Sequence, residues 1–439
     1  MIFCLAGCAG KRDEETGKPA SMAEYVKGVM AVAAVYPKAV AKDMNAADYV
    51  MSEESQKWFE DYAKKLEESA LHQDGMTDFY KEIQGRILKA GKEDNAVCSP
   101  LNIYIAAAML AETADGNTRA QVLSALRVKS IEELRSRIKA LWEANYLDTP
   151  TVKSILADSI WMRNDMEYNG ETLGRLAELY YASAFSGEMG SDEMNEALRK
   201  WTDEATGGLL SDYVNDMSLS RETVLALVST LYYKAAWTDS FNAERTNTEV
   251  FHGSKGDKEV LMMHMDGMMS VYDCSKFTAI GLDLNDSGTM YFFLPKDGTD
   301  PAELATDQEA LGIIRDPGSV DSIYPMVHLS VPKFEVSAKT DLCEVLKAMG
   351  ITDAFDRNAA DFSKLTDAVK EIWVDSAEHV AMVKIDEEGV TGAAYTDMMF
   401  AGSALPQDEI ELRFDRPFYF AVSSGDKAVL FSGVVRNID

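Results

Sequence analysis

The first third of the chain carries apolar residues at the three- and four-residue spacing of amphipathic helices. This spacing predicts helices across residues 22–72, with a break at Pro37, and again across residues 76–90. A nearly continuous apolar segment follows, and Pro100 in its first turn favours a buried helix there. Two more helical patterns extend this part of the chain to about residue 146.

Beyond that point the pattern is increasingly that of strands. Residues 151–163 predict a strand, and residues 171–184 and 191–210 predict two helices. The continuous apolar segment 223–237 is rich in Val, Leu and Tyr, which is typical of a central strand. Strands then dominate to the end, with one helix predicted at residues 340–350. Helices first and mostly antiparallel strands afterwards indicate one large α+β domain.

Composition changes this picture mainly through charge. The chain has 439 residues, of which 46% are apolar and 26% are charged, as in ordinary globular proteins. Its formal net charge of -30 argues against nucleic acid and anionic membrane surfaces as partners. The cysteines form no CxxC pair and no Cys/His spacing suited to zinc, so we expect no metal, no other cofactor and no disulfide framework.

Residues Leu5–Cys8, LAGC, have the form of a bacterial lipobox, in which the cysteine is lipid-modified after the chain is cut before it. Few residues precede the motif, so a chance four-residue match is the alternative. On the lipobox interpretation, residues 1–8 are a residual lipoprotein-type signal and residues 9–75 are a tether with a helical extension. The protein would then be extracellular or at the cell surface, and only Cys8 would hold it to a membrane.

The sequence lacks the local motifs of common enzymes. It contains no HExxH, GxSxG or GxGxxG pattern. The segment Asp283–Gly288, DLNDSG, partly matches a calcium-binding loop, but Leu294 stands at the twelfth position, where that loop needs glutamate. We interpret the segment as a hairpin turn. A serine–histidine–aspartate triad stays open as an alternative, because its members need to meet only in space.

Eight segments of the chain match the pattern of one protein family in the right order, and over residues 76–439 the chain resembles the serpins. The resemblance implies a single domain with the α+β serpin fold: three β-sheets, eight to nine helices and an exposed reactive-centre loop that can enter the central sheet. It also implies a monomer that is no enzyme but a suicide-substrate inhibitor, which forms a covalent complex with a target serine protease. The segments are NAVCSPLNIYIAAAML (95–110), GNTRAQVLSAL (116–126), LVSTLYYKAAWTDSF (227–241), TEVFHG (248–253), VHLSVPKFEVS (327–337), LKAMGITDAF with ADFSKLT (346–366), HVAMVKIDEEGVTGAA (379–394) and FDRPFYFAV with VLFSGVV (414–435).

The segment that resembles the reactive loop begins with a hinge of small and acidic residues. Along a strand, the side of this segment that contains Val390 carries no charge, whereas the other side contains Tyr395 and Asp397. One uncharged and one polar side are typical of a segment that can become a strand of a sheet. The predicted hinge residues are Glu387, Glu388, Gly389, Val390, Thr391, Gly392, Ala393 and Ala394.

Counting about fourteen residues on from Gly389, as in the family, predicts that the target protease cuts between Ser403 and Ala404. Counting back from the RPF segment, as in the family, moves the cut towards Pro406, so residues 401–406 bound the prediction. The flanking residues are small and neutral, which suits an elastase-like or subtilisin-like protease. None of them is the basic residue that a trypsin-like protease needs.

The resemblance also implies a polar cluster beneath two central strands that must part when the loop enters. Asn102 stands where the family usually has serine, and Ser229 stands where it usually has asparagine. We hypothesise that the two residues have exchanged polar roles. Trp237 resembles the aromatic residue at the point where insertion starts, although plain core packing is an equal alternative. The predicted sheet-opening residues are Asn95, Ser99, Pro100, Ser229, His379 and Trp237.

A second hypothesis belongs to a different functional class, namely a non-inhibitory serpin that acts as a binding or structural protein. The small residues Gly392 to Ala394 favour insertion and therefore inhibition. Tyr395 is bulkier than the alanine usual at its position, and slower insertion would favour the substrate outcome.

Overall fold

In the computed structural model, the described residues are 2–5, 30–34, 36, 53–149, 151–368, 371–390 and 409–438. They form two compact units. The first contains residues 1–79, 101–233 and 339–381, and the second contains residues 80–100, 234–338 and 382–439. The prediction of a single domain across residues 76–439 stays a prediction.

The helices lie mainly in the first half of the chain, as the apolar spacing predicts. Ser130 caps one of them by accepting a hydrogen bond from the amide of Glu133. Ser191 caps another by accepting a hydrogen bond from the amide of Met194. The α-helices of the described residues are α1 (Glu53–Ala70), α2 (Gln73–Leu88), α3 (Pro100–Thr113), α4 (Gly116–Ala125), α5 (Ile131–Asn145), α6 (Gly170–Leu179), α7 (Asp192–Ala205), α8 (Ser211–Val214), α9 (Pro301–Leu304), α10 (Gln308–Arg315) and α11 (Cys343–Ala348).

The strands alternate with these helices at first and then dominate. They are β1 (Ile2–Leu5), β2 (Met30–Val32), β3 (Ala96–Cys98), β4 (Leu147–Asp148), β5 (Val152–Arg163), β6 (Ala182–Gly187), β7 (Leu225–Ala236), β8 (Asn247–Gly253), β9 (Gly256–Met268), β10 (Val271–Asp273), β11 (Phe277–Leu284), β12 (Gly288–Pro295), β13 (Met326–Pro332), β14 (Phe334–Asp341), β15 (Ala377–Ile385), β16 (Gly389–Val390), β17 (Glu409–Arg413), β18 (Phe418–Ser424) and β19 (Val429–Val435).

The largest sheet has nine strands in the described chain, and β7 and β15 are its central members. On one side of β7 lie β5, β6 and β2 in that order, and β14 pairs with β15 on the other side. Between β7 and β15, the short strand β16 occupies one end and β1 occupies the other. Strand β16 is antiparallel to both neighbours, whereas β1 is parallel to both.

Two smaller sheets belong to the second unit. One has the strand order β10-β11-β12-β18-β19-β3, and the other has the order β17-β13-β9-β8. The hairpin between β11 and β12 contains Asp283–Gly288, and Asp286 adopts a positive φ of 54° there. The interpretation of this segment as a turn is therefore confirmed.

The continuous apolar run of β7 is confirmed as a buried strand, and ten of its twelve residues are buried. The helix predicted to start at Pro100 is also confirmed, since Pro100 is the first residue of α3. No helix in the described part of the chain is long and apolar enough to cross a membrane.

The structure corrects three predictions of secondary structure. Residues 22–36 were predicted to be helical, but Met30–Val32 form β2, because an unpaired sheet edge at β6 outweighs the local helical spacing. The helix predicted across 171–184 ends at Leu179, and its last residues belong to β6. One helix was predicted among the later strands, but α9 and α10 also lie there, and Asp300 and Asp307 cap their first turns.

Candidate functional site

The predicted hinge is a tight turn at the end of β15. The carboxylate of Asp386 accepts hydrogen bonds from the amides of Glu388 at 2.9 Å and Gly389 at 3.2 Å. The amide of Asp386 donates to the carbonyl oxygen of Gly389 at 3.1 Å. These bonds reverse the chain, so that the residues after the turn lie antiparallel to β15.

Glu387 is held in this turn by two side chains. Its carboxylate accepts hydrogen bonds from Lys333 Nζ at 2.6 Å and from Thr246 Oγ1 at 2.8 Å. Burial alone would raise the pKa of Glu387, but Lys333 and Thr246 outweigh it and hold this pKa below its usual value. The carboxylate is therefore charged at neutral pH and fixes one side of the turn.

Trp237 holds the same turn from β7. Its indole N–H donates to the carbonyl oxygen of Asp386 at 2.9 Å, and its amide donates to the carbonyl oxygen of Glu388 at 3.0 Å. Its ring is 1% exposed and lies 6.1 Å from the ring of Phe241 and 6.4 Å from that of Phe292, centroid to centroid. Trp237 thus packs in the core and also holds the hinge turn, and its role at the start of insertion stays a prediction.

The first two residues after the turn are already a strand of the large sheet. Gly389 pairs with Ala236, and Val390 pairs with Ala235 of β7 and with Ile385 of β15. A Cβ atom on Gly389 would lie 2.2 Å from the carbonyl oxygen of Ala235, so only glycine fits there. Val390 is 2% exposed, and its side chain shares the buried face with Ala235.

Four of the eight predicted hinge residues can therefore be placed. Thr391, Gly392, Ala393 and Ala394 lie outside the described residues. The predicted cut between Ser403 and Ala404 and the predicted lipid attachment at Cys8 also lie outside them.

Beneath the middle of β7, the structure brings together the two residues that the family resemblance pairs as an exchange. The amide nitrogen Nδ2 of Asn102, in α3, donates to Oγ of Ser229 at 2.8 Å, and both side chains are buried. His379 of β15 is fully buried, and burial lowers its pKa to about 3, so that its imidazole is neutral at physiological pH.

The remaining predicted sheet-opening residues lie at the start of α3 and just before it. Ser99 is buried next to Pro100, the first residue of the helix. Asn95 is bonded to the end of the chain, because its side-chain oxygen accepts from the amides of Arg436 at 2.7 Å and Asn437 at 2.9 Å. Its amide also donates to the carbonyl oxygen of Asn437. This geometry fastens the C-terminal segment beside β3.

Sequence reasoning missed two acidic residues of this region. Asp386 forms the hinge turn, and an aspartate followed closely by glycine is a turn signal that could have found it. Asp158 is 1% exposed within β5, and nothing in the sequence of that strand, which also contains Lys153 and Ser159, sets it apart. Burial raises the pKa of Asp158 to about 8, against smaller lowering effects from Ser229 and Trp142.

Comparison with known proteins gives the same pattern over most of the chain. A family model described as Serpin (serine protease inhibitor) matches residues 74–438. Serpin-Z2B of Oryza sativa subsp. japonica is 29% identical over 415 residues, covering 84% of this chain and 98% of that protein. Alpha-1-antiproteinase 2 of Equus caballus is 29% identical over 383 residues, covering 84% of this chain and 88% of that protein.

Solved structures share the fold at lower identity. The thermophilic serpin tengpin, in its native state, matches with a TM-score of 0.74 and 22% identity, covering 92% of this chain and 98% of that chain. Human thyroxine-binding globulin also matches with a TM-score of 0.74 and 22% identity, covering 84% and 99% of the two chains. These likenesses concern the fold alone, and they confirm the predicted α+β fold class with its three sheets.

Proposed function

The chain belongs to the serpin family, and we propose that it is a suicide-substrate inhibitor of serine proteases with an elastase-like or subtilisin-like pocket. The observation that carries this proposal is the strand β16. Because Gly389 and Val390 already pair with β7 and β15, the segment that follows can continue between the same two strands once it is cut.

The pairing register along β7 agrees with that along β15 for a loop strand placed between them. Continuing the antiparallel pairing of Val390 with Ala235 along β7 would bring Thr396 opposite Ser229, and continuing its pairing with Ile385 along β15 would bring Thr396 opposite His379. Ser229 and His379 do face one common position, since both pair with Cys4 of β1. A loop strand can therefore fit both neighbours in a single register.

Uncharged and polar residues alternate along the loop in a way that suits a strand between β7 and β15. The residues that would share the buried face with Val390 carry no charge, and those on the opposite face include Tyr395 and Asp397. Each backbone hydrogen bond contributes about 1 kcal/mol net, and burial of apolar atoms adds to this, so insertion could release on the order of 10 kcal/mol. The buried-face residues are Gly392, Ala394, Thr396 and Met398.

The proposed reaction uses the catalytic serine of the target protease. Its hydroxyl oxygen attacks the carbonyl carbon of Ser403, the Ser403–Ala404 peptide bond breaks, and Ala404 leaves with a proton on its new amino group. The ester that forms joins the protease to Ser403. Insertion of about fourteen residues at 3.3 Å each would then carry the protease by roughly 46 Å and distort its active site before water hydrolyses the ester.

The bait sequence supports the choice of protease class. Phe400 to Pro406, FAGSALP, contains no basic residue that could pair with the acidic pocket of a trypsin-like enzyme. Small residues around Ser403 suit a shallow, neutral pocket.

We also propose that the protein is held at the cell surface through Cys8. Cleavage before Cys8 would remove Ile2–Leu5, which form β1. The positions between β7 and β15 that β1 occupies would then be free for residues 395–398 of the loop. Lipid processing and loop insertion are therefore compatible.

A binding role without inhibition is the second candidate. Tyr395 favours it, since a bulky side chain in the middle of the loop slows insertion and allows the ester to hydrolyse. Thyroxine-binding globulin, whose name states a binding function, has the same fold.

Incubation with pancreatic elastase, with subtilisin and with trypsin separates the two candidates. We expect a band that survives SDS at the summed mass of both proteins less that of the released C-terminal peptide, which begins at Ala404 and is identified by mass spectrometry. Elastase whose catalytic serine is chemically blocked is the control and should give no band. Clean cleavage without a complex would contradict inhibition, and a complex with trypsin alone would contradict the protease class.

A further inference from the structure

Strand β1 occupies the gap between the two central strands of the large sheet. Residues 2–5 pair with residues 227–230 of β7, and residues 2–4 pair with residues 377–379 of β15. In the part of the chain that the structure describes, β7 and β15 do not pair with each other directly. The backbone of β1 is therefore the partner of both strands over this stretch.

Strand β16 lies in the same gap, further along β7. Val390 of β16 pairs with Ala235, and Leu5 of β1 pairs with Thr230. Only residues 231–234 of β7 lie between these two pairings. A loop strand that continues from Val390 can therefore pair with four further residues of β7 before it reaches β1.

The two strands in the gap run towards each other. Strand β16 is antiparallel to β7 and β15, whereas β1 is parallel to both. Leu5, the last residue of β1, is thus the residue that a lengthening loop strand meets first. Because both strands need the same backbone partners on β7 and β15, the loop can advance past Thr230 only when β1 leaves.

The residues that flank β1 are those of a sheet interior. Leu227, Val228, Ser229 and Thr230 are at most 1% exposed, and His379 is fully buried. The sequence of β1, IFCL, contains only apolar residues, as is typical of a central strand. An apolar composition suits this position, so β1 is a competitor that the loop must displace.

The room that β1 leaves is too short for the proposed trap. Four residues at about 3.3 Å each would advance the loop by roughly 13 Å, whereas insertion of about fourteen residues gives roughly 46 Å. A protease that has moved by the shorter distance keeps its active site intact, and water can hydrolyse the ester while β1 is still in place. The longer loop strand displaces β1 in the end, but by then the protease has been released.

We propose that β1 is an autoinhibitory strand, which delays loop insertion until the N-terminal segment is removed. The inference rests on the proposed function. A signal peptidase would add water across the peptide bond between Gly7 and Cys8, which leaves a carboxylate on Gly7 and an amine on Cys8. The released segment contains the whole of β1. The chain without β1 is therefore the inhibitory form, whereas a protease cleaves the full-length chain as a substrate.

The test compares the full-length chain with Cys4→Pro. Proline has no backbone N–H and does not fit a central strand, so this substitution should remove β1 from the gap. Cys4→Ala is the matched control, because it removes the same thiol group and keeps the backbone pairing. All these proteins are produced without export, and their intact masses confirm that the N-terminal segment is present.

The measured quantity is the fraction of elastase encounters that end in an SDS-resistant complex rather than in cleaved chain. We expect this fraction to be about tenfold larger for Cys4→Pro, because a strand hydrogen bond lost from β1 changes its competition with the loop by up to about that factor. Cys4→Ala should match the full-length chain. Phe3→Pro, which interrupts the same strand at the neighbouring residue, should give the same increase as Cys4→Pro.

A second measurement needs no ester. After a metalloprotease has cut the loop, the cut chain should become heat-resistant about tenfold faster in Cys4→Pro than in the full-length chain, because β1 no longer has to leave first. Equal rates in the two proteins would overturn the proposal.

Equal fractions of complex in all four proteins, with complexes formed by each, would also overturn the proposal and leave the inhibitory function intact. An increase for Cys4→Ala as large as that for Cys4→Pro would assign the effect to the thiol group and would likewise overturn it. Absence of a complex in every protein would contradict the inhibitory function itself and the proposal with it. If Cys4→Pro does not fold, Phe3→Pro takes its place in each comparison.

Discussion

Val390→Arg will abolish inhibition while the loop is still cleaved. Val390 is 2% exposed between Ala235 and Ile385, on the buried face of the large sheet. An arginine there would bury a charge without a partner, at a cost of about 3 kcal/mol or more. Strand β16 then cannot form, insertion cannot start, and the ester to the protease is hydrolysed first.

We expect the yield of covalent complex to fall by about two orders of magnitude, since each 1.4 kcal/mol corresponds to a factor of ten. The rate of loop cleavage and the thermal midpoint of the intact protein should change little, because residue 390 is the second residue of a two-residue strand. Val390→Thr is the matched control and should keep most of the complex. If Val390→Arg inhibits as well as Val390→Thr does, the buried face of the loop has been assigned to the wrong side.

Glu387→Lys will detach the hinge from the large sheet. The substitution removes the acceptor of Lys333 Nζ, which lies 2.6 Å away, and places a second positive charge beside it. The side chains of Lys333 and Glu387 are 33% and 14% exposed, so solvent screens part of the repulsion. We expect the free energy of unfolding to fall by about 2 kcal/mol, somewhat less than for a fully buried pair.

Urea unfolding gives this difference, and hydrogen exchange of the Val390 amide reports on the hinge itself. Glu387→Gln is the control, because its amide oxygen can still accept from Thr246 or Lys333, and it should lose under 1 kcal/mol. Since the pKa of Glu387 is held below its usual value, the wild-type advantage over Glu387→Gln should be present at pH 7 and be lost progressively as the pH falls below 4.5, the usual pKa of a glutamate. Equal losses in both variants at pH 7 would show that charge is not what holds the turn.

Most of the fold could be predicted from the sequence where the local pattern and the tertiary environment agree. The apolar run of β7 and the proline at the start of α3 are signals of this kind, and both elements form as predicted. The extension shows the opposite case. Met30–Val32 have helical spacing with their neighbours, yet they pair with β6, because a free sheet edge is a long-range partner that no local pattern contains.

The candidate site could be predicted in part, for the same reason. Gly389 was predicted as a hinge residue, and the structure gives the reason for glycine there, namely the carbonyl oxygen of Ala235 next to it. The sequence could suggest the contact of Asn102 with Ser229, because asparagine and serine stand in exchanged positions relative to the family. Asp158 could not be found, because its raised pKa follows from burial in the folded chain, which no local pattern marks.

The central claim is that the intact chain stores free energy that a cut in the loop releases. A metalloprotease that nicks the loop forms no ester and so leaves the cut protein free, and its thermal midpoint can be compared with that of the intact protein by calorimetry. Insertion worth on the order of 10 kcal/mol should raise the midpoint by roughly 10 °C. If nicked and intact protein unfold at the same temperature, no energy is stored in the loop and the chain does not trap proteases in the proposed way.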